Sequence, residues 1–170
     1  MDKESQPEPL DPNWPRYSDR PFPPYRYTPR KTPHPYRDAA GHSFGRGFPD
    51  ATGFPPEEWR TNPEYLLGID FYNFAYWWEA HEILEEIWHR VGHRTEQGQF
   101  LQGLIQVAAG FLHRFGGRTR QFHLQVERGR ARLITIPDFY MGVDVAGFVE
   151  ELDAVIEQPS TQYPLIQLNL

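Results

Sequence analysis

The sequence contains no cysteine, few methionines and no long hydrophobic run. Without cysteine, disulfides, thiolate metal sites and a cysteine nucleophile are excluded, so a metal would need nitrogen and oxygen ligands. No stretch approaches the roughly 20 consecutive apolar residues of a membrane helix. The polar, proline-rich first twenty residues lack the apolar core of a secretory signal. We therefore expect a cytoplasmic protein that makes no membrane contact.

An excess of basic charge is also missing, since the net charge is −6. Residues 1–60 carry nine basic and nine acidic side chains, whereas residues 61–170 carry eight basic and fourteen acidic ones. Nucleic-acid-binding domains usually present a basic surface. We therefore expect a small-molecule or protein ligand in place of nucleic acid, and the composition leaves open a homo-oligomer.

Proline and aromatic residues are concentrated in the first third of the chain. Thirteen of the seventeen prolines lie in residues 1–60, where they prevent long helices. Disordered segments are typically poor in aromatics, yet this stretch contains Trp14, Tyr17, Phe22, Tyr25, Tyr27, Tyr36, Phe44, Phe48, Phe54 and Trp59. We predict a disordered tail over 1–13, an extended arm over 14–60 that wraps the body with its rings docked, a helical domain over 61–158 and an extended tail over 159–170.

Helical spacing of apolar residues dominates the body. It predicts helices over 64–91, about 95–115, 119–135 and 145–158. Asp144 is a good N-cap for the last helix, which Pro159 would end. The fold class is therefore all-α, a compact antiparallel bundle of about four helices joined by short loops.

The first helix carries the strongest chemical signal. His81 and Glu85 are four residues apart, so their side chains meet on one face and could hold one cation. Glu82, next to the first ligand, would be placed as a general base. The second histidine of the H-E-x-x-H zinc signature is replaced by Glu85, so a zinc peptidase is not supported. A carboxylate ligand would admit Zn²⁺, Mn²⁺ or Fe²⁺. Alternatively, His81 and Glu85 neutralise each other as a buried ion pair.

The second helix and the arm could complete this site. Gln102, Gln106 and His113 share one line of the second helix, where the amides could orient carboxylates, bind a ligand or satisfy loop backbone. Gly103 and Gly110 lie close on the helical wheel and predict the close approach of another backbone. If the arm crosses the first helix, His34 or His42 could join His81 and Glu85 as metal ligands.

A second surface offers a non-catalytic function. Arg128 and Arg132 share a face of the third helix and could hold an anion, or they could form a solvated surface. The protein would then be a binding module, and the His/Glu/Gln motif would be structural.

Two motifs resemble a known family. The run from Trp77 to Trp88 and the run from Phe100 to Ala109 are similar to the family called domain of unknown function 309, and Gly142-Val143-Asp144 fits as well. Pro33-His34-Pro35 and Gly41-His42-Ser43 resemble an extension of some members. The resemblance implies a compact all-helical fold and no established activity. The family's label of metal-dependent hydrolase is inferred from motif residues, which correspond here to Glu79, His81, Glu82, Glu85, Gln102 and Gln106. Trp77-Trp78 stands where the family often has Phe or Tyr and should widen an aromatic wall.

Overall fold

A computed structural model describes residues 5–47, 49–158 and 161–170. Within these ranges the chain forms a short 3-10 helix, five α-helices and a two-stranded hairpin: Pro56–Thr61, then α1 Pro63–Asn73, α2 Trp77–Val91, α3 Glu96–Phe115, α4 Thr119–Leu133, β1 Phe139–Tyr140, β2 Val143–Asp144 and α5 Val145–Glu157. The all-α prediction is confirmed. None of the described helices is both long and apolar enough to cross a bilayer.

Side-chain caps define where several helices begin. Asn62 accepts a hydrogen bond from the Tyr65 N–H, Thr95 from that of Gly98, and Asp144 from that of Gly147. Each cap satisfies a backbone donor that has no partner inside its helix. The predicted cap at Asp144 and the predicted start of α3 at Thr95 are confirmed. Pro159, the predicted stop of α5, lies outside the described residues.

The predicted helix over 64–91 is wrong as a single element, because the chain breaks it into α1 and α2. At the break Ala75 has a positive φ of 62°, which a continuous α-helix does not allow. The Asn73 side chain is occupied elsewhere: its amide donates to the Ile166 carbonyl at 2.8 Å and its oxygen accepts from the Ile166 N–H at 2.7 Å. A partner distant in sequence therefore stabilises this corner.

The helix α3 lies at the centre of the bundle and packs against both α2 and α4. Aromatic and aliphatic side chains without exposed surface fill the space between the helices, among them Tyr65, Tyr72, Phe100, Leu104, Phe111 and Leu152. The predicted close approach at the glycines is confirmed. A Cβ on Gly103 would lie 3.3 Å from the Gly129 carbonyl oxygen, and one on Gly110 would lie 3.4 Å from the Phe122 carbonyl oxygen, both in the backbone of α4.

The segment before α1 runs over the bundle without regular structure, since residues 6–47 form only turns and bends. Phe22 stacks on Tyr76 at 4.9 Å between ring centroids, and Asp70 accepts the Tyr17 and Ser18 N–H groups at 2.9 Å. Phe44 differs from the expected docked aromatics because it is 54% exposed. Phe48 lies outside the described residues.

Both ends of the chain contact one another. The Leu10 N–H donates to the Tyr163 hydroxyl at 3.1 Å, and the Trp14 indole donates to the Ile166 carbonyl at 3.3 Å. Tyr163, Ile166 and Leu168 are buried. The division into tail, arm, helical domain and C-terminal tail remains a prediction, and residues 1–4 of the tail lie outside the described ranges.

Candidate metal centre

Helix α2 separates an apolar face from a polar one. Ala80, Ile83, Leu84 and Ile87 are buried in the core, whereas His81, Glu82 and Glu85 are half-buried. The helical period produces this separation, since residues three and four apart share a face. The polar face is thus held by a helix whose opposite side is fixed in the core.

His81, Glu82 and Glu85 bring one ligand atom each into a cluster. These atoms lie within 4.8 Å of one another, and the group could hold a metal ion. The His81 and Glu82 side chains are 30% and 19% exposed, with 3.4 Å between Nδ1 and Oε1. The His81 Nδ1 is buried and makes no hydrogen bond within the described residues. One imidazole nitrogen and two carboxylates suit Zn²⁺, Mn²⁺ or Fe²⁺.

Glu79 lies on the same helix but turns toward the arm. Its Oε1 accepts the Tyr27 N–H at 2.9 Å and lies 3.4 Å from His42 Nε2. The Glu79 and His42 side chains are each 5% exposed. His42 Nδ1 lies 2.8 Å from the Ser43 hydroxyl. His42 therefore pairs with Glu79, and it is not a member of the His81 cluster.

His34 also reaches α2, through ring contacts. Its imidazole packs edge-on against Trp78 at 5.5 Å and tilted against Tyr27 at 5.1 Å. Its Nδ1 accepts the Tyr36 N–H at 3.2 Å. Arm residues thus contact α2, but His34 is likewise outside the cluster formed by His81, Glu82 and Glu85.

Tyr36 is a neighbour of the cluster that the sequence did not single out. Its ring lies 5.9 Å from that of Trp78. Burial raises the pKa of Tyr36, and the negative charges of Glu82 and Glu79 raise it further. The phenol is therefore neutral near pH 7, and it forms a side-chain hydrogen bond with Ser43. The signal available in the sequence was its position directly after Pro33-His34-Pro35.

The expected aromatic wall consists of one tryptophan with arm residues. Trp78 contacts Tyr27, His34 and Tyr36. Trp77 instead lies in the core, 5% exposed, against Phe111 and Tyr163. Consecutive residues of a helix point about 100° apart, so the two indoles cannot line the same surface.

The α3 candidates have surroundings of their own. Gln106 Oε1 accepts the Arg132 Nε–H at 3.1 Å from α4, so its amide orients a guanidinium instead of a carboxylate of α2. Gln102 is half-buried. His113 has a buried Nδ1 with no hydrogen-bond partner among the described residues. Burial, followed by the positive charge of Arg118, lowers the pKa of His113.

A comparison with known protein families identifies the segment that contains α2 and α3. Residues 65–124 match the family model described as Domain of unknown function (DUF309). The family resemblance of the two motifs is confirmed for this stretch. No curated protein matches the chain.

The DUF309 match contains every residue of the candidate cluster. It starts in α1, includes α2 and α3 entirely and ends in the first half of α4. The arm with His34 and His42 lies before it, and α5 lies after it. The cluster therefore belongs to the DUF309 segment, whereas the side chains that cover its neighbourhood come from the arm.

Proposed function

We propose that this protein is a metal-dependent hydrolase whose divalent cation is bound by His81, Glu82 and Glu85. The single observation behind the proposal is the convergence of these three donors on a partly exposed helix face. The buried Nδ1 of His81 supports it, because this atom makes no hydrogen bond within the described residues, whereas buried polar atoms normally make one. Three protein ligands that leave further positions open are typical of catalytic sites, whereas structural zinc sites are closed.

The side chains around the cluster suit hydrolysis. A bound divalent cation would lower the pKa of a coordinated water toward neutrality. Glu82 has two carboxylate oxygens, so one can contact the cation while the other accepts a proton from water. Trp78 with Tyr27 offers an aromatic surface for an apolar part of the substrate.

Metal binding is the first test. Tag-free protein is freed of metal with EDTA and titrated with Mn²⁺ and Zn²⁺ in a calorimeter. We expect one site, and we expect His81→Ala and Glu85→Gln to weaken binding by at least about tenfold, since outer-shell changes alone cost that much. Glu86→Gln, a neighbouring carboxylate outside the cluster, is the matched control and should bind normally.

Activity is the second test. Hydrolysis of p-nitrophenyl acetate and p-nitrophenyl phosphate is measured with and without the metal that binds. Glu82→Gln should lower turnover by about 10²–10⁴-fold, the usual effect of losing a general base. If wild-type protein binds no metal, or if His81→Ala binds and hydrolyses as well as wild type, the proposal is wrong.

A second candidate function is a non-catalytic module that binds an anion between α3 and α4. A pocket of about 440 Å³ is lined by Gln99, Gln106, Arg128, Arg132 and two smaller residues. Arg132 is held in place by Gln106, and guanidinium groups bind carboxylate and phosphate oxygens strongly. In this alternative the His81 cluster is structural. Arg128→Glu should then abolish binding of inorganic phosphate, and unchanged binding would exclude this function.

A further inference from the structure

Two histidines meet where α2 ends. His89 lies in the last turn of α2, and His93 follows directly after Gly92, the C-cap of the helix. The His89 Nδ1 and the His93 Nε2 are 3.1 Å apart, and both residues are exposed. Gly92 has a φ of 94°, a conformation that favours glycine and that turns the chain so that the second imidazole faces the first.

The neighbours of His93 hold its ring in this position. The Trp88 indole stacks on it with centroids 3.7 Å apart and planes at 11°. The Gln99 side chain donates to the His93 carbonyl at 2.7 Å. The two histidines border an open pocket of about 570 Å³ together with Gly92, Arg94 and Thr95. The protein therefore holds the His93 ring in place, while both imidazoles remain accessible to solvent.

The distance between the two nitrogens fits a shared metal ion. Imidazole nitrogens bind zinc at about 2.0–2.1 Å. Two such ligands are about 2.9 Å apart at an octahedral angle and about 3.3 Å apart at a tetrahedral angle, from the same bond length. The observed 3.1 Å lies between these values. The same distance also fits a hydrogen bond between the two neutral rings. Experiment can distinguish a bound metal ion from this hydrogen bond.

We propose that His89 and His93 form a second metal site, which binds a divalent transition metal ion through two imidazoles. This site is separate from His81, Glu82 and Glu85, because His89 is not a member of that cluster. It lies one helical turn beyond Glu85, about 6 Å along the axis. Two nitrogen ligands without a carboxylate select Cu²⁺, Ni²⁺ or Zn²⁺ over Mg²⁺ and Ca²⁺, with Cu²⁺ bound most tightly.

A copper titration tests this proposal independently of the hydrolase function. It uses full-length His81→Ala protein, in which the first site is weakened, and Cu²⁺ alone as the probe. Binding is followed by quenching of tryptophan fluorescence, since Trp88 touches His93, and by the nitrogen splitting in the Cu²⁺ EPR spectrum. We expect one ion per chain with two nitrogen ligands, and no binding of Mg²⁺.

The variants decide between a chelate and a single imidazole. Adding His93→Gln, or separately His89→Gln, should lower the affinity by at least about tenfold, because the second ligand then no longer binds within the same molecule. His89→Gln keeps the Trp88–His93 stack, so it controls for structural damage. The matched control His123→Gln should leave binding unchanged. If both variants bind within twofold of their parent, or if EPR shows one nitrogen, the pair only shares a proton and the proposal is wrong.

Discussion

The His42 imidazole lies 3.4 Å from the Glu79 carboxylate, and both side chains are almost completely buried. This contact joins the arm to α2 two residues before His81, which is about half a helical turn from the candidate metal cluster. The same carboxylate oxygen also accepts the Tyr27 N–H. Charges are costly to bury without partners, so the pairing couples the path of the arm to the position of α2. Disturbing the Glu79–His42 pair should therefore affect both the arm and α2.

Loss of the Glu79 carboxylate should release the arm. Glu79→Ala removes the acceptor of the half-buried Tyr27 N–H and the carboxylate beside His42, so the free energy of unfolding should fall by about 1–3 kcal/mol. Urea unfolding measures the loss, and limited proteolysis should cut faster between residues 25 and 45. Glu86→Ala, which removes a half-buried carboxylate from the same helix, serves as the comparison. Equal stability of the two variants would contradict the role of Glu79.

His113 should make the fold sensitive to acid. Burial lowers its pKa below the ordinary value of 6.5. The unfolded chain then binds the proton more readily, so the stability due to neutral His113 is present above pH 6.5 and is lost as the pH falls through the folded-state pKa. Between about pH 7.5 and 5.5, the Tm of His113→Gln should therefore fall by less than the Tm of wild type. An unchanged loss of Tm on acidification in His113→Gln would contradict the prediction.

The contact between α3 and α4 should not tolerate a methyl group at Gly129. A Cβ there would lie 2.7 Å from the Gly103 carbonyl oxygen and 2.9 Å from Val107. We expect Gly129→Ala to lower the free energy of unfolding by about 1–3 kcal/mol, as overpacking does, despite the better helix propensity of alanine. Gly116→Ala is the control, since its nearest atoms are 3.5 Å away. Chemical denaturation should separate the two, and equal stability would argue against close packing.

A bound cation should stabilise the folded protein. At a metal concentration one hundred times the dissociation constant, a ligand that binds only the folded state adds about 2.7 kcal/mol to the free energy of unfolding. Mn²⁺ or Zn²⁺ should thus raise the Tm of wild type, and EDTA should reverse the increase. Glu85→Gln should respond less at the same concentration. If the metal raises the Tm of wild type and of Glu85→Gln equally, the stabilising ion binds at another site.

Features that depend on neighbours in sequence could be predicted. The cap at Asp144, the start of α3 near Thr95 and the close approach at Gly103 follow from local spacing and from the chemistry of single residues. The meeting of His81 with Glu85 is of the same kind, because four residues make about one helical turn. Whether these two side chains bind a metal is a separate prediction.

Features that depend on distant segments could not be predicted. The apolar pattern continues through residues 74–76, yet the chain turns there, and Asn73 bonds with Ile166 across 93 positions. The path of the arm likewise decides that His42 meets Glu79 instead of His81. Periodicity along one helix contains no information about which distant segment will lie on its surface.

The bonds between Asn73 and Ile166 constrain when the fold can be completed. A ribosome adds about 5–20 residues per second, so Ile166 is made roughly 5–19 s after Asn73 at that rate. During that interval α1 and α2 can form, but the Asn73 side chain between them cannot yet hydrogen-bond to the Ile166 backbone. The α1–α2 corner therefore gains these hydrogen bonds only late in biosynthesis. In nascent chains halted before residue 166, the corner should be less rigid.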